Sequence, residues 1–463
     1  MDRREFIRLS AVGMATTTFG FVRPARSSVK SPRISLVAAE GEHRFLSEQS
    51  EPTRVQQYNQ SIPGPVIRLI QGQASLIEFH NQLKESTSVH WHGLRIDNAM
   101  DGVPGKTQEV IKPGERFTYQ FTPPDAGTYW YHTHQRSWEQ LAKGLAGILI
   151  VEETSPPVVD QDLVFAIDDW RINNAMQIDT ESLGALHDWA HGGRMGNFMT
   201  VNGEANKAFA VSKGERIRLR VLNIANSRIM NLRFNLPSIS VIAIDGQPVT
   251  PYPLDNGQLV LAPGQRADLM MDMVLDPGHE SPVELRVRDQ SYDVAHFKFN
   301  DQVKREHLLD TPIALPDNPL NEIKLPDAFE TFPLLMEGGA MGGMQQAIYN
   351  GQTLSINELI QHNQIWALNG IAGLAKQPLF RVKRGTAVKL NVENNNSWPH
   401  GIHLHGHHFI HDREPAVWRD TALFTRGEKG TLSFIADNPG KWLIHCHMIE
   451  HQAGGMVTWF EVV

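Results

Sequence analysis

The chain has 463 residues and a net charge of −8, which argues against binding to the phosphate backbone of nucleic acids as its main function. Its composition, with 41% hydrophobic and 20% charged residues, is that of a folded globular protein of about three domains and excludes collagen-like and disordered chains. One Cys excludes a disulfide framework and Cys-rich zinc or iron–sulfur sites, whereas 21 His residues suggest a metal bound by imidazole groups.

The N-terminus has the features of an export signal. Arg3-Arg4-Glu5-Phe6 is a twin-arginine start, and a mostly apolar run follows from Leu9 to Val22. This run is too short to remain as a membrane-spanning anchor. The alternative is a disordered basic tail. The pattern favours a twin-arginine signal over residues 1–29, and therefore export of the folded protein to the periplasm by the twin-arginine machinery.

A repeated pattern predicts three related domains. In each repeat a Gly is followed nine residues later by an Asn, with alternating apolar and polar residues between them, which is typical of strands with one buried face. The pairs are Gly72 and Asn81, Gly214 and Asn223, and Gly385 and Asn394. We therefore predict an all-β fold of three β-sandwiches, with domains at 30–155, 156–310 and 311–463 and a Pro-rich linker from Asp310 to Pro333.

Pairs of His residues occur at matched positions of the outer repeats. The pairs are His90 and His92, His132 and His134, His403 and His405, and His445 and His447. Residues i and i+2 of a strand point to the same face, so each pair presents two imidazoles side by side. Eight imidazoles are enough for a cluster of about three ions. We expect this cluster between the first and third domains, with the His-free middle domain as a spacer.

The single Cys lies between two of these His residues and faces the other side of its strand. Cys446 is followed by His451 and Met456, and His400 precedes the third pair. Two His, one Cys and a weak Met form the ligand set of a blue-copper electron-transfer site. The alternative is a buried, inert thiol. Because His445 and His447 are covalent neighbours of Cys446, the predicted electron-transfer site is connected directly to the predicted cluster.

Together these motifs resemble the four copper motifs of multicopper oxidases, in the three-domain, laccase-like branch. The resemblance implies three cupredoxin-like Greek-key β-sandwiches and four copper ions. It implies type 1 copper at His400, Cys446, His451 and Met456, type 2 copper at His90 and His403, and a type 3 pair at His92, His132, His134, His405, His445 and His447. It also implies one-electron oxidation of a reducing substrate at type 1 copper and four-electron reduction of O2 to water at the other three.

Three functions remain open at this stage. The first is oxidation of phenols or aromatic amines, and the second is oxidation of Cu(I) or another metal ion in copper tolerance. The third is a copper store or a non-enzymatic scaffold, which the complete ligand set disfavours. Met336, Met341 and Met344 offer soft ligands for Cu(I), or else belong to a flexible loop that packs against the surface. Three-domain members of the family suggest a monomer.

Several other residues near these motifs have open roles. Trp398 either packs beside His400 or is cross-linked to it, as the resemblance to some family members suggests. His407, His408 and His411 are expected around the ligands or at the surface, with a labile copper contact as the alternative. His187 and His191 are expected in a loop of the middle domain.

Reduction of O2 to water also requires an acid near the cluster. The resemblance implies that Asp101 is this acid, although Asp101 also fits a simple turn ahead of Gly102. Many bacterial members have a second acid, Glu, where this chain has Gln452, which cannot titrate. We expect Asp101 to deliver most of the protons, with Glu450 as the nearest other candidate.

Overall fold

Strands form almost all of the regular structure in this computed structural model, which describes residues 33–46, 50–307, 309, 313–413 and 415–463. The predicted export signal, residues 1–29, lies outside the described residues. Residues Arg33–Val463 form one compact unit. Within the described part, the longest helix has six residues, and no helix is long and apolar enough to cross a membrane.

The first domain consists of two four-stranded sheets. Its strands are β1 Arg33–His43, β2 Thr53–Tyr58, β3 Gly64–Ile70, β4 Ser75–Asn81, β5 His90–His92, β6 Arg116–Phe121, β7 Gly127–His132 and β8 Ala146–Glu152. The sheet orders are β2-β1-β4-β6 and β3-β8-β7-β5, which places β5 at an edge. A 3-10 helix, Asn98–Met100, follows β5, and a short α-helix, Ser137–Gln140, follows β7. Alternating side chains such as Ile77 and Phe79 fill the core between the sheets.

The second domain contains a six-stranded and a five-stranded sheet. Its strands are β9 Gln161–Trp170, β10 Phe198–Val201, β11 Lys207–Lys213, β12 Arg216–Asn223, β13 Met230–Phe234, β14 Ile239–Ile244, β15 Gln247–Pro253, β16 Gln258–Leu261, β17 Arg266–Asp272, β18 Glu280–Val287 and β19 Gln290–Val303. The orders are β10-β9-β12-β17-β14-β15 and β11-β19-β18-β13-β16. Short helices lie at Thr180–Ser182, Leu186–Ala190 and Asp255–Gly257. His187 therefore lies in a one-turn helix rather than in the predicted loop, and His191 follows that helix.

The third domain has the same design with an added hairpin. Its strands are β20 Glu330–Gly338, β21 Gln346–Tyr349, β22 Gln352–Ser355, β23 Trp366–Leu368, β24 Arg381–Val382, β25 Thr386–Asn394, β26 His400–Leu404, β27 Phe409–His411, β28 Trp418–Arg419, β29 Thr421–Phe424, β30 Lys429–Ala436, β31 Gly440–Cys446 and β32 Val457–Val462. The main sheets run β23-β20-β25-β30-β27-β28 and β24-β32-β31-β26-β29, and β21 pairs with β22. Helices lie at Pro319–Glu322, Ile356–Gln361 and Ile449–Ala453.

The all-β fold of three sandwiches is confirmed, whereas the domain boundaries at 155 and 310 stay a prediction. The predicted linker to Pro333 is too long, because β20 begins at Glu330 and pairs in parallel with β25. Met336 consequently lies in a strand and is buried in the core, not in a flexible loop.

Strand β12 differs from its predicted pattern of one buried face, because both of its faces are buried. Its arginines bind carboxylates at the contact with the first domain. Arg218 donates to Glu153 at 2.8 Å and to Asp268 at 2.7 Å, and Arg220 donates to Thr128 of the first domain at 2.9 Å. A buried charge is tolerated only when it is paired, so these contacts are the reason that a polar strand face can lie between two domains.

Candidate metal centre

Strand pairing places the predicted His pairs in equivalent positions in the first and third domains. His90 on β5 lies opposite His132 on β7. In the third domain His403 on β26 lies opposite His445 on β31, and Ile402 lies opposite Cys446. The side chains of the four His pairs thus emerge from two neighbouring strands in each outer domain, as the internal repeat predicted.

The structure brings the eight imidazoles together in groups that combine the two outer domains. Within each group the candidate ligand atoms all lie within 4.8 Å of one another. The groups are His92, His132 and His447; His134, His405 and His445; and His90, His92 and His403. His92 therefore belongs to two of them. The first two groups correspond to the six residues predicted for type 3 copper, and the remaining two residues are those predicted for type 2. The assignment of copper types stays a prediction.

Hydrogen bonds at one ring nitrogen leave the other nitrogen free to bind a metal. Nδ1 of His90 donates to the carbonyl of Asp101 at 2.7 Å, and Nδ1 of His403 donates to the carbonyl of Asp420 at 2.9 Å. His132 donates in the same way to the carbonyl of Thr133 at 2.9 Å. The Nε2 atoms of these three imidazoles are buried and have no hydrogen-bond partner among the described residues. A buried polar atom normally requires a partner, so these lone pairs fit a bound metal ion.

Burial also keeps these imidazoles in the form that binds metal. It holds the pKa of His132, His405 and His445 well below the usual range, and neighbouring imidazoles lower the pKa further. Neutral imidazole is the form that can donate a lone pair to a metal ion. The donor set consists of nitrogens and one thiol, which suits copper and excludes hard ions that prefer oxygen, such as Mg²⁺ and Ca²⁺.

A second site surrounds Cys446 on the opposite face of β31. Its Sγ lies 3.5 Å from Nδ1 of His400 and 3.8 Å from Nδ1 of His451. The other ring nitrogens are held in place, because Nε2 of His400 bonds Oδ1 of Asn396 at 2.9 Å and Nε2 of His451 bonds the carbonyl of His191 at 2.7 Å. Burial raises the pKa of the Cys446 thiol to about 12, so a thiolate here requires a cation beside it.

Met456, the fourth predicted residue of this site, is buried in the same core cluster as Cys446. It follows the short helix Ile449–Ala453, and its carbonyl accepts a hydrogen bond from the backbone N–H of Cys446 at 3.1 Å. His445 and His447 flank Cys446 and belong to the two His triads. The thiol site and the imidazole cluster therefore share one strand.

Asp101 touches the cluster from the first domain. Its Oδ2 atom lies 3.0 Å from Nδ1 of His405, and its Oδ1 atom lies 3.3 Å from Nδ1 of His90. It also ends the 3-10 helix Asn98–Met100, and a Cβ atom on the following Gly102 would lie 1.8 Å from the carbonyl oxygen of Val89. Asp101 thus occupies a tight turn and also contacts two predicted ligands, so both interpretations from the sequence describe it.

The other acid considered, Glu450, is engaged elsewhere. Its carboxylate accepts hydrogen bonds from Asn226 at 3.0 Å and from Ser227, both in the second domain. Burial raises its pKa above the ordinary value. Gln452 is partly buried, and its Oε1 atom has no hydrogen-bond partner among the described residues.

The remaining His and Met residues occupy different environments. His407, His408 and His411 are buried, not at the surface, and burial lowers the pKa of each to about 4. His407 and His408 lie around the ligands, because His407 donates to the carbonyl of His405 at 3.2 Å and His408 lies 3.5 Å from Oδ2 of Asp420. Met341 is 78% exposed, while Met344 is partly buried against a small core cluster.

Trp398 packs against His191 of the second domain. Its Nε1 donates to the carbonyl of Ala340 at 3.0 Å, and its ring meets that of His191 edge-on at 5.3 Å. The contact with His191 joins the second and third domains, and packing of Trp398 beside His400 and a cross-link to it both stay predictions.

Three charged residues beside the cluster were not found from the sequence. Asp420 contacts His92 and His403, and Arg266 and Asp245 of the second domain contact Asp420. No spacing rule marks Asp420, which follows an ordinary strand residue. Arg266 does have a signal: it comes directly after Pro263-Gly264-Gln265, the middle copy of a turn that recurs in all three repeats.

Comparison with known proteins identifies the family. Profiles described as multicopper oxidase match residues 41–156, 161–279 and 349–463. The crystal structure of Lac15 from a marine microbial metagenome is 37% identical, with a TM-score of 0.75, covering 93% of this chain and 100% of that chain. A multi-copper oxidase from Pseudomonas thermotolerans is 29% identical, with a TM-score of 0.82, covering 94% and 99%.

Among curated relatives, multicopper oxidase MmcO of Mycobacterium tuberculosis is 29% identical over 448 residues, covering 88% of this chain and 82% of its own length. Other relatives carry the names laccase and iron transport multicopper oxidase. The chain therefore belongs to the multicopper oxidase family, which confirms the resemblance inferred from its motifs. It is a laccase-like, copper-dependent oxidoreductase that uses O2 as the electron acceptor.

Proposed function

We propose that this multicopper oxidase holds four copper ions and oxidises phenols or aromatic amines in the periplasm, one electron at a time. The main support for this proposal is the order of residues at the end of β31. Cys446 belongs to one donor set, while its neighbours His445 and His447 belong to the other. An electron accepted at the thiol site then has a covalent route of two neighbouring residues to the cluster. The three remaining donors of the thiol site are His400, His451 and Met456.

Copper bound at these donors would supply a one-electron acceptor at the thiol site and a place for O2 reduction at the imidazole cluster. The protein's own residues provide the rest. Hydrogen bonds from backbone carbonyls fix the tautomers of His90, His132 and His403, so that each offers Nε2. Burial excludes bulk water, and Asp101, beside His405, can take up a proton and then release it to the cluster.

The proposal is tested with Cys446→Ser. We expect this variant to lose the blue colour and the oxidation of a phenolic dye, while its fold and its cluster copper are retained. Copper analysis of the wild type should give about four ions per chain, from eight cluster imidazoles and one Cys-containing site. Normal dye oxidation by Cys446→Ser would refute the assignment, and so would a wild-type protein without copper.

A second candidate, oxidation of Cu(I) or another metal ion, is favoured by one contact near the thiol site. The N–H of Ala340 donates to the carbonyl of Ala190 at 2.7 Å. This bond joins the loop at residues 339–345, which contains Met341, to the short helix Leu186–Ala190. His187, with a side chain 80% exposed, stacks on His191 with ring centroids 4.1 Å apart. Imidazoles and thioethers suit Cu(I).

Oxygen consumption with Cu(I) and with a phenolic dye separates the two candidates. If a metal ion is the donor, His187→Ala with Met341→Leu should lower the rate with Cu(I) and leave the dye rate unchanged. An equal effect on both rates would favour phenols or aromatic amines as the substrates.

The periplasmic location rests on the Arg3-Arg4 motif and the apolar run that follows it from Leu9 to Val22. Replacing both arginines by Lys keeps the charge but should keep the protein in the cytoplasm, because the export machinery reads the arginine pair. Cell fractionation checks this expectation. Unchanged export of the Lys-Lys variant would refute the twin-arginine route.

A further inference from the structure

Asp420 contacts two imidazoles that belong to different parts of the cluster. Its Oδ1 accepts from Nε2 of His92 at 3.0 Å, and its backbone carbonyl accepts from Nδ1 of His403 at 2.9 Å. Its Oδ1 is also 3.4 Å from Nδ1 of His403. Asp420 is fully buried. These bonds leave Nδ1 of His92 and Nε2 of His403 without hydrogen-bond partners among the described residues, and both residues belong to the same candidate metal-binding group.

The side chain of Asp420 is held by the middle domain. Arg266 donates hydrogen bonds to both carboxylate oxygens of Asp420, from Nη1 to Oδ1 at 2.9 Å and from Nη2 to Oδ2 at 2.7 Å. The Nε of Arg266 donates to the carbonyl of Thr128 in the first domain at 3.1 Å. One guanidinium, itself fully buried, therefore binds all three domains at the cluster.

The backbone around Asp420 is held by the same domain. Oδ2 of Asp245 lies 3.3 Å from the N–H of Asp420 and 3.2 Å from the N–H of Thr421. Nε2 of Gln265 donates to the carbonyl of Thr421 at 2.9 Å. Both the side chain and the main chain of this corner of the third domain are thus fixed from outside.

The turn before Arg266 packs directly on the imidazoles. A Cβ atom on Gly264, whose φ is +86°, would lie 2.9 Å from Cε1 of His92 and 3.1 Å from His447. Only glycine allows the backbone to approach so closely. The recurring turn of the middle repeat has thus no metal ligand of its own but lies against ligands from both outer domains.

We propose that Arg266 and Asp420 form a positioning pair through which the middle domain aims His92 and His403 at the metal cluster. The middle domain is then more than the spacer that the sequence suggested. This inference rests on the proposed function, because it requires copper at the cluster. Outer-shell partners of this kind fix the tautomer and orientation of metal-binding imidazoles, and their loss commonly weakens metal binding by about 10–100-fold.

The test uses the copper-loaded protein with Asp420→Asn and Arg266→Met. Both variants should bind the cluster copper about 10–100-fold more weakly. The type 2 electron paramagnetic resonance spectrum should change, because Asn removes the carboxylate charge 3.4 Å from Nδ1 of His403 and leaves a single acceptor oxygen for Arg266 and His92. The blue band should persist, because neither residue contacts His400, Cys446 or His451.

Two further variants separate positioning from general stability. Arg216→Met removes an equally buried arginine that binds both oxygens of Asp272 in the same domain, at 2.7 and 2.9 Å. We expect it to lower the melting temperature without altering the type 2 spectrum. Arg266→Lys keeps the charge but cannot bind both oxygens of Asp420 at once, so it should give an intermediate copper affinity. It also serves as the test if Arg266→Met does not fold.

The outcomes are distinguishable. A wild-type protein without cluster copper would overturn the proposed function itself. A loaded wild type, with Asp420→Asn and Arg266→Lys showing unchanged affinity and an unchanged type 2 spectrum, would overturn only the positioning pair. An equal loss of cluster copper in Arg216→Met would also overturn it, because the effect would then follow from the loss of any buried ion pair.

Discussion

The carboxylate oxygen Oδ2 of Asp101 lies 3.0 Å from Nδ1 of His405, so an acid of the first domain contacts an imidazole of the third domain. This contact forms only where the two outer domains meet. It gives Asp101 a position from which a proton can reach the imidazole cluster without crossing bulk water.

Asp101→Asn tests that role. Asn keeps the size and one acceptor oxygen but cannot release a proton, so O2-dependent reoxidation should slow by roughly 100-fold, within the usual range for general acid catalysis. Anaerobic reduction of the blue copper should be unchanged. Stopped-flow absorbance measures both steps. Wild-type turnover at acidic and neutral pH would instead favour Glu450, the other buried acid, whose pKa is raised by burial.

Gln452→Glu adds an acid where the side chain now has an unsatisfied oxygen. We expect faster O2 reduction, or a shift of its pH dependence to higher pH, because a second group then supplies protons. Steady-state oxygen consumption across pH measures this. Gln345→Glu, at an exposed position, is the control for added charge alone. Identical pH profiles for wild type and Gln452→Glu would show that protons do not limit the reaction at this position.

His90→Ala should remove type 2 copper first. His90 and His403 are the two imidazoles outside the groups His92, His132 and His447 and His134, His405 and His445, whereas the thiol site uses other side chains. The blue band should therefore persist, and its reoxidation by O2 should stop. Copper analysis with electron paramagnetic resonance checks both points. Complete bleaching of the blue band in copper-loaded His90→Ala would contradict this division between the two sites.

Arg218→Met should destabilise the protein by about 3–5 kcal/mol, because it removes the arginine that binds the buried carboxylate of Glu153 and one of the two arginines paired with Asp268. Thermal unfolding of the copper-free protein measures the effect as a lower melting temperature. Arg68→Met is the matched control. Arg68 also pairs with two carboxylates, but its side chain is 42% exposed, so its loss should cost no more than about 1 kcal/mol. Equal shifts for the two variants would contradict the role given to burial.

The sequence predicted much of the site because repeats and strand periodicity are local properties. The equal offsets that relate His90 to His403 and His132 to His445 indicate equivalent strands, and the structure pairs those strands in the same register. Periodicity was less reliable for β12, where alternation predicted one exposed face. That face is covered by another domain, and local pattern carries no information about such a contact.

The fold class, the four His pairs, the position of Cys446 between two of them and the family can all be predicted from the residues. These features follow from which residue types occur at which spacing along one strand. The positions of Asp420, Arg266 and Asp245 beside the cluster, and the contact of His191 with His451, become visible when the domains pack together. These contacts join residues more than 100 positions apart in different domains, and a buried ion pair or a carbonyl contact has no spacing that a single strand could reveal.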